Sequence, residues 1–566
     1  MPRNVLCFVA PLFLLSACAS APQAPADLTK EEGVDSRSAY GLYLAGEAAL
    51  KDGAAHDAAR LFDRAEQMGG ADQIGERAFM AALLAGDVGR AATLAPKDDE
   101  ATPGGKRLGR LTVAVESMAT GKADVARAML SADDSGAPQT AASALLAPWA
   151  AALAGDTEGS IVRPEAGDDR VVAYFGQLGQ ATLFERAKRY SEAETDFKLL
   201  TDGESAGDIV VLSYGAFLER RDRRPEAVKL YDATLASDPN NTAIRTARAR
   251  AAAGRPAPPT PTLRQGAAQA LLAPAASLIA AKQQQLGLAY LRLVLRLDPQ
   301  RDEAWLLVGD VMSEAGDLAA ARDAYQRPAP GSDQYAAARA KLAWSYQGAD
   351  EPEVALKMAR EAAASGGYEA RLTLADLLRA QKNYAESSVL LTGLIAEAPN
   401  PDWRLYYARG VAYEQLGRWP DAEADLLAAL KIEPDEPELL NYLGYSWIDR
   451  GERLPQAMAM VEKAVAANPK SGAMVDSLGW AYYRQGDYRT AVDKLEAAVE
   501  LDAGDPEIND HLGDAYWRVG RRAEAGFQWR RVLTLEPDDK MKARAEAKIA
   551  SGLPPTASAP AKVAGQ

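Results

Sequence analysis

The sequence predicts an all-α protein built from repeated pairs of antiparallel helices that stack as a solenoid. A Leu-Gly pair recurs at intervals of 35 and 34 residues, which is the spacing of a repeat protein. Apolar residues near each pair are spaced by three and four positions, so they share one face of a helix. No long alternating run typical of a β-strand is present. The Leu-Gly pairs are Leu443-Gly444, Leu478-Gly479 and Leu512-Gly513.

Each repeat reads as two helices joined by a short turn. An aromatic residue follows each repeat glycine by three positions, and an alanine begins a second apolar stripe on the next helix. A glycine between the two stripes can adopt positive φ and end the first helix, and a proline tends to end the second. In the last unit these residues are Tyr516, Ala525, Gly520 and Pro537. The equivalents upstream are Trp447 and Tyr482, Ala457 and Ala491, Gly451 and Gly486, and Pro434 and Pro469.

The same register continues upstream with some drift. Units are marked by glycines near the middle of a first helix and by large apolar residues in the second stripe. Residues 100–170 are rich in alanine and loosely phased, so the sequence places no helix pairs there. The glycines are Gly46, Gly215, Gly309 and Gly410, and the second stripes include Phe62, Tyr231, Tyr325 and Leu426.

One proline-rich segment suggests where the chain divides. Arg255–Thr262 reads RPAPPTPT, which disfavours helix and predicts a linker or a stiff elbow. The following segment, Leu263–Leu297, predicts a longer or kinked helix pair around Pro274, and its apolar part is too short to predict a membrane span. The predicted order is N-terminal helical repeats over 39–254, a proline-rich linker over 255–264, C-terminal repeats over 265–550 and a disordered tail over 551–566.

The first residues read as a secretory signal, with Arg3, an apolar run and then small residues. Leu15-Ser16-Ala17-Cys18 resembles the lipobox of bacterial lipoproteins, which implies lipid attachment to Cys18. Ala19 follows in place of Asp, and the same resemblance then implies an outer-membrane lipoprotein that faces the periplasm. The alternative is an ordinary secreted protein with a chance cysteine at its cleavage site. The expected segments are a signal peptide over 1–17 and a lipidated Cys18 with its flexible tether over 18–38.

Charge and composition exclude several classes of function. The formal net charge of −15 makes the chain a poor nucleic-acid binder, so we expect no nucleic-acid partner, although helical repeats of similar length can read RNA. The two histidines, His56 and His511, lack a metal-ligand pattern, and no G-x-S-x-G motif is present. We therefore expect no catalytic residue, no metal site and no cofactor. An unrecognised envelope enzyme is the remaining alternative.

The repeated pattern of Leu-Gly-x-x-Tyr, Gly, Ala and a closing Pro resembles the tetratricopeptide repeat, whose helix pairs form a right-handed superhelix. This resemblance implies that the first helix of each pair lines the concave face. Aromatic, Asn and Asp side chains there suit an extended peptide or a helix. The alternative is that the aromatic side chains pack between neighbouring units. The predicted groove residues, called the first-helix row below, are Tyr407, Glu414, Asn441, Tyr445, Ile448, Asp476, Trp480, Tyr483, Asp510, Asp514 and Trp517.

The C-terminal phrases carry a closer resemblance. MVDSLGWAYYRQGDYRTAVDKLEAAV, residues 474–499, is similar to long tetratricopeptide lipoproteins of the bacterial outer membrane. That family includes adaptors of periplasmic carboxyl-terminal processing proteases, which deliver substrates such as peptidoglycan hydrolases. The resemblance implies a tethered scaffold that raises the effective concentration of a protease and its substrate. The alternative is an assembly factor for a pilus, secretion or polysaccharide-export machine.

Overall fold

The computed structural model describes residues 38–51, 53–68, 73–96, 101–131, 139–202, 207–239, 241–364, 367–398 and 400–554. The predicted signal peptide, Cys18, almost all of the tether and most of the predicted tail lie outside these ranges. All regular structure in the described ranges is helical, which confirms the predicted all-α class. None of these helices combines the length and the apolar composition needed to cross a bilayer.

Contacts between residues divide the described chain into two compact units. The first unit contains residues 38–390 and 397–398, and the second contains residues 391–396 and 400–554. The division falls within the helix Tyr384–Glu397.

The helices before the division are short and mostly paired. They are α1 (Ala39–Lys51), α2 (Ala55–Gln67), α3 (Gln73–Ala85), α4 (Val88–Thr93), α5 (Pro103–Ala119), α6 (Ala123–Leu130), α7 (Gln139–Leu153), α8 (Thr157–Ser160), α9 (Arg170–Arg186), α10 (Tyr190–Thr201), α11 (Asp208–Arg220), α12 (Arg224–Ser237), α13 (Thr242–Ala252), α14 (Leu263–Ala280), α15 (Gln284–Leu297), α16 (Asp302–Glu314), α17 (Leu318–Gln326), α18 (Tyr335–Gly348), α19 (Pro352–Ala364), α20 (Tyr368–Ala380) and α21 (Tyr384–Glu397).

The helices of the second unit follow the repeat period closely. They are α22 (Trp403–Gln415), α23 (Trp419–Ile432), α24 (Pro437–Arg450), α25 (Leu454–Ala467), α26 (Gly472–Gln485), α27 (Tyr488–Leu501), α28 (Pro506–Arg518), α29 (Arg522–Val532) and α30 (Asp539–Ser551).

In both units, a side chain of the second helix of a pair packs directly against a glycine of the first helix. A Cβ built on Gly513 would lie 2.5 Å from the Trp529 ring, and one built on Gly479 would lie 2.6 Å from Leu495. Because folded proteins are densely packed, a larger residue at these positions would force the paired helices apart. The predicted register is thereby confirmed, and it extends to the upstream units. The upstream pairs are Gly46 with Phe62, Gly215 with Tyr231, Gly309 with Tyr325 and Gly410 with Leu426.

The predicted turns are also confirmed. Helix α24 ends at Gly451 with φ 72°, and α26 ends at Gly486 with φ 87°, both in the left-handed region that glycine adopts without strain. The side chain of Asp487 then accepts from the N–H of Thr490 and caps α27. Helix α25 ends at Ala467, shortly before Pro469.

The first unit departs from simple stacking at α14 and α15. Helix α14 packs against α7 and α9, and α15 packs against α3 and α5, all of which lie much earlier in the chain. Trp149 of α7 is buried where these helices meet, against Gly179 of α9 and Gly266 of α14. Arg296 of α15 also pairs with Glu116 of α5 at 2.6 Å. The described parts of residues 100–170, which the sequence left unplaced, thus form α5 to α8, and α5 and α7 pack against this later hairpin.

The proline-rich segment lies inside the first unit and is non-helical over residues 255–262. The carbonyls of Pro258 and Pro261 accept hydrogen bonds from Arg220 and Arg186, each at 2.8 Å. Thr262 begins α14 with a capping box. The division by contacts falls near residue 391, and a domain boundary at residues 255–264 stays a prediction.

Candidate protein-binding surface

The first-helix row lies on α22, α24, α26 and α28, which are the first helices of four successive pairs. Helix α26 packs against both α24 and α28. Side chains one repeat apart in the sequence therefore lie next to each other, and their contacts define the surface.

Trp480 is the centre of an aromatic stack in this row. Its ring is nearly parallel to that of Tyr483, with centroids 4.5 Å apart and 7° between the planes. On α28, His511 stacks on Trp480 at 4.1 Å and 12°. The His511 ring also lies 6.3 Å from that of Tyr445 on α24. Ring contacts therefore join three successive first helices.

The His511 imidazole is held as a cation by the carboxylate of Asp476. His511 Nδ1 lies 2.9 Å from Asp476 Oδ2, and both side chains are 6% exposed. Burial lowers the pKa of His511, but the negative charge of Asp476, with Glu507 and Asp510, raises it to about 9. The charged ring stacks on Trp480, which is a favourable cation–π contact. At neutral pH the row therefore contains an ion pair buried beside aromatic rings.

Tyr445 connects helices that are two repeats apart. Its hydroxyl on α24 donates to Oε1 of Glu507 on α28 at 2.8 Å. Burial and the neighbouring Glu507 raise the pKa of Tyr445 far above its ordinary value, so its hydroxyl remains a donor. A direct hydrogen bond therefore joins α24 to α28 across α26, the first helix that lies between them.

At the other end of the row, α22 is tied to α24. Glu414 accepts from the Tyr442 hydroxyl at 2.7 Å and from Arg450 at 3.3 Å. Tyr407 packs edge-on against Tyr442 with ring centroids 5.4 Å apart. Both predicted row residues on α22 therefore contact the next first helix.

Helix α30 covers the C-terminal end of the row. Lys548 Nζ lies 2.8 Å from Asp510 and 2.7 Å from Asp514, and the Trp529 indole donates to Asp514 at 3.0 Å. Burial raises the pKa of Asp514, and Lys548 opposes that shift. Trp517 packs against the chain just after α30. These charges are therefore paired within the unit.

Packing between repeats explains more of the row than the sequence predicted. Ile448 of α24 is fully buried in the hydrophobic core, so its predicted place on the groove surface is wrong. Asp476, Asp510 and Asp514 are also buried, because the next repeat supplies cations that hold their carboxylates. The other seven residues are half-buried. Contact of any of these residues with a partner stays a prediction.

Two half-buried residues of the row keep a polar atom that has no hydrogen-bond partner within the described ranges. These atoms are Oδ1 of Asn441 on α24 and Nε1 of Trp480 on α26. Buried polar atoms are nearly always paired in folded proteins, so each of these atoms requires an explanation. An acceptor and a donor on neighbouring helices match the N–H and C=O groups of a peptide backbone.

The sequence interpretation missed His511, because no metal-ligand spacing drew attention to it. The signal that identifies it is the repeat period. His511 follows Asp476 by 35 residues, which places the two side chains on adjacent first helices. In the ranges that the structure describes, no cluster of three or more His, Cys, Asp or Glu side chains is arranged to hold a metal ion.

Family models match two stretches of the second unit. A tetratricopeptide-repeat model matches residues 407–472, and a TPR-repeat model matches residues 479–520. These repeats are typical of non-catalytic scaffolds that bind proteins, and nothing in the described residues points to an enzymatic activity. The chain is thus an all-α repeat protein that carries tetratricopeptide repeats.

Among curated proteins, the chain is similar to the TPR repeat-containing protein PA4667 of Pseudomonas aeruginosa. The two are 29% identical over 215 residues, which is 38% of this chain and 36% of that protein. The match therefore spans about a third of the relative's length.

Two solved structures match with low scores. The APC/C hetero-tetramer Cut9-Hcn1 matches at 15% identity and a TM-score of 0.40, covering 91% of this chain and 96% of that chain. A tetratricopeptide repeat protein from Parabacteroides merdae matches at 14% identity and a TM-score of 0.38, covering 44% of this chain and 99% of that chain. Both TM-scores lie below 0.5, so the fold assignment depends on the helix pairs and the family models.

Proposed function

We propose that the chain is a non-catalytic, membrane-tethered scaffold of the bacterial envelope that brings protein substrates to a carboxyl-terminal processing protease. The tetratricopeptide repeats in residues 407–520 support a protein-binding role. The lipobox-like sequence ending at Cys18 supports a lipid anchor at the outer membrane, on the periplasmic side. The resemblance of the C-terminal phrases to protease-adaptor lipoproteins supports the choice of partner.

The observation that carries the protein-binding role is the pair of unsatisfied polar atoms in an otherwise paired row. Oδ1 of Asn441 accepts nothing and Nε1 of Trp480 donates to nothing among the described residues, while the carboxylates beside them are paired. Both atoms lie just beneath the surface, so a bound segment that displaced the side chains above them and supplied one N–H and one C=O would satisfy both. Aromatic rings next to them would give the same segment apolar contact.

The first experiment is an affinity capture from envelope extract with the chain starting at Ala19, followed by mass spectrometry. We expect recovery of a carboxyl-terminal processing protease that digests a peptidoglycan hydrolase faster when the scaffold is present. Recovery of pilus, secretion or polysaccharide-export subunits without a protease would contradict the adaptor role and favour an assembly factor.

Two substitutions test whether the unsatisfied atoms contact the captured partner. Asn441→Ala removes the acceptor, and Trp480→Phe removes the N–H while it keeps a ring on His511. We expect each variant to bind the partner at least about fivefold more weakly, since one hydrogen bond contributes about 1 kcal/mol, with an unchanged Tm. Asn468→Ala directly after α25 and Phe527→Ala on α29, which change exposed residues, are the matched controls. If all four variants bound the partner with equal affinity, the partner would not contact Asn441 or Trp480.

A further inference from the structure

Helix α1, at the N-terminal end of the first unit, has an apolar outer face. Tyr40 is 70% exposed, Leu44 one turn later is 50% exposed, and Ala48 continues the same face. Gly41 and Ala45 lie beside these residues and are half-buried. A contiguous apolar patch on the surface of a protein usually marks a contact with another molecule.

The outer face of α1 also lacks charge. Residues 39–50 contain a single charged side chain, that of Glu47, and it lies 3.1 Å from Arg77 of α3. The second helix of the same pair differs, because Arg60 and Arg64 of α2 are exposed. The end unit of a repeat protein normally needs a polar outer face to remain soluble. Helix α1 does not supply that polar face.

The repeat register identifies this face of α1 as the one on which helix pairs stack. Leu44 precedes the repeat glycine of its unit, Gly46, by two positions. At the same position in the second unit, α24 has Tyr442 and α28 has His511. Tyr442 contacts α22 and His511 contacts α26, which in each case is the first helix of the preceding pair. Within the described ranges no pair precedes α1, so Leu44 occupies a stacking position without a neighbouring pair.

The C-terminal end of a second copy does not offer a matching face. Helix α30 covers the first-helix row there, and Lys548 of α30 pairs with the buried carboxylate of Asp510. The exposed side of α30 is charged, with Lys540, Lys542 and Arg544 in contact with solvent. An apolar face gains little from contact with exposed cations. Head-to-tail stacking of copies is therefore disfavoured.

Helix α1 of a second copy does offer a matching face. Two copies with a net charge of −15 each repel one another, and this repulsion is least where both surfaces are uncharged. The face also alternates in size, because Tyr40 and Leu44 are large whereas Gly41 and Ala45 are small. Large side chains of one helix can therefore fill the spaces beside the small residues of the other.

We propose that α1 packs against α1 of a second copy and that the protein is a dimer with two-fold symmetry. Leu44 is close to the middle of α1, so in an antiparallel pair of these helices it lies near the symmetry axis. Residues 19–37 contain only two large aliphatic side chains, Leu28 and Val34, which are too few to cover the face. A bilayer surface is a poorer match, because helices that lie on membranes combine their apolar face with cations. The inference is independent of which partner the scaffold binds.

The direct test is analytical ultracentrifugation of the chain from Ala19 to Gln566 over about a hundredfold range of concentration. We expect a monomer–dimer equilibrium. Leu44→Glu should weaken dimerisation at least about tenfold, because each dimer would then bury two carboxylates. Leu199→Glu on α10, where the leucine is 58% exposed, should dimerise as the parent does. A chain that is monomeric at every concentration, or a dimer that Leu44→Glu leaves unchanged, would overturn the proposal.

Cross-linking locates the contact without a loss of binding. The chain from Ala19 onward contains no cysteine, because the two cysteines of the sequence are Cys7 and Cys18. We expect a short bismaleimide to convert Leu44→Cys to a covalent dimer at least about tenfold faster than Leu199→Cys, since the dimer holds the two copies of residue 44 close together. Equal rates would overturn the assignment to α1. A monomeric chain that floats with vesicles of phosphatidylethanolamine and phosphatidylglycerol, and no longer does so as Leu44→Glu, would assign the face to the membrane and also overturn the proposal.

Discussion

The two units use the same helix pair but connect their pairs in different ways. In the second unit, each first helix contacts the next through rings, ion pairs and hydrogen bonds such as Asp476 with His511. In the first unit, α14 and α15 pack into helices far earlier in the chain, and Trp149 fills the centre of that contact. The repeat pattern therefore determines how the two helices of one pair pack together. How one pair packs against another depends on residues that are not part of the repeat pattern.

The largest expected effect tests the long-range packing of the first unit. Trp149→Ala and Trp529→Ala both remove a buried indole, and each should cost about 3–5 kcal/mol of unfolding free energy. Hydrogen exchange should differ, because Trp149→Ala removes contacts of α9 and α14 whereas Trp529→Ala removes contacts of α28. If Trp149→Ala reduced the protection of amide hydrogens from exchange in α7 alone, Trp149 would not connect α7 to α9 and α14.

The next effect tests the ionic contact of the second unit. His511 has a folded-state pKa of about 9 against an ordinary value of 6.5, so its charge stabilises the fold by about 3 kcal/mol at low pH. That contribution is fully present below about pH 6.5 and is lost as the pH rises through 9. The charged groups that act on the ring are Asp476, Glu507, Asp510 and Asp514.

His511→Gln is the variant that measures this contribution. Its destabilisation, followed by urea unfolding, should be largest near pH 6 and should shrink above pH 9. A destabilisation of the same size at pH 6 and pH 10 would show that packing, rather than charge, is what His511 supplies.

A smaller effect separates tight from loose helix pairs. Gly309→Ala places a Cβ against the Tyr325 ring and should cost about 1–3 kcal/mol through overpacking. In Gly410→Ala the Cβ meets the Leu426 side chain at 3.1 Å and the Ala422 carbonyl oxygen at 3.3 Å, contacts that a small shift relieves, and the higher helix propensity of alanine offsets the cost. Thermal unfolding should therefore give a lower Tm for the first variant and an almost unchanged Tm for the second. A large loss at Gly410 would show that its pair is as tight as that of Gly309.

The smallest expected effect concerns exposed ion pairs. Arg360 and Glu386 pair at 2.8 Å with side chains 52% and 36% exposed. Arg360→Gln should change the unfolding free energy by less than about 1 kcal/mol, because solvent screens the pair. Urea unfolding at 0.1 M and 1 M salt checks this, since any difference should vanish at high salt. A loss comparable to that of His511→Gln would make surface charge as important as buried charge.

The sequence predicted the helix pairs where glycine and its large apolar partner recur, as in Gly513 and Trp529. This prediction was correct because the contact lies within one repeat, so a single periodic pattern includes both residues. The docking of α14 and α15 was not predicted, because no period relates Trp149 to Gly266. In the first-helix row, chemical type alone could not distinguish a free acid from one paired with the next repeat, as Asp510 is with Lys548.

The hydrogen bond from Tyr445 to Glu507 skips the repeat between them. In a simple repeat array each unit touches only its neighbours, and the end units can unravel one at a time. A link between alternate units removes that freedom, because opening the middle unit would also break the bond that passes over it. Helices α24 to α28 are therefore expected to open together, as one cooperative block.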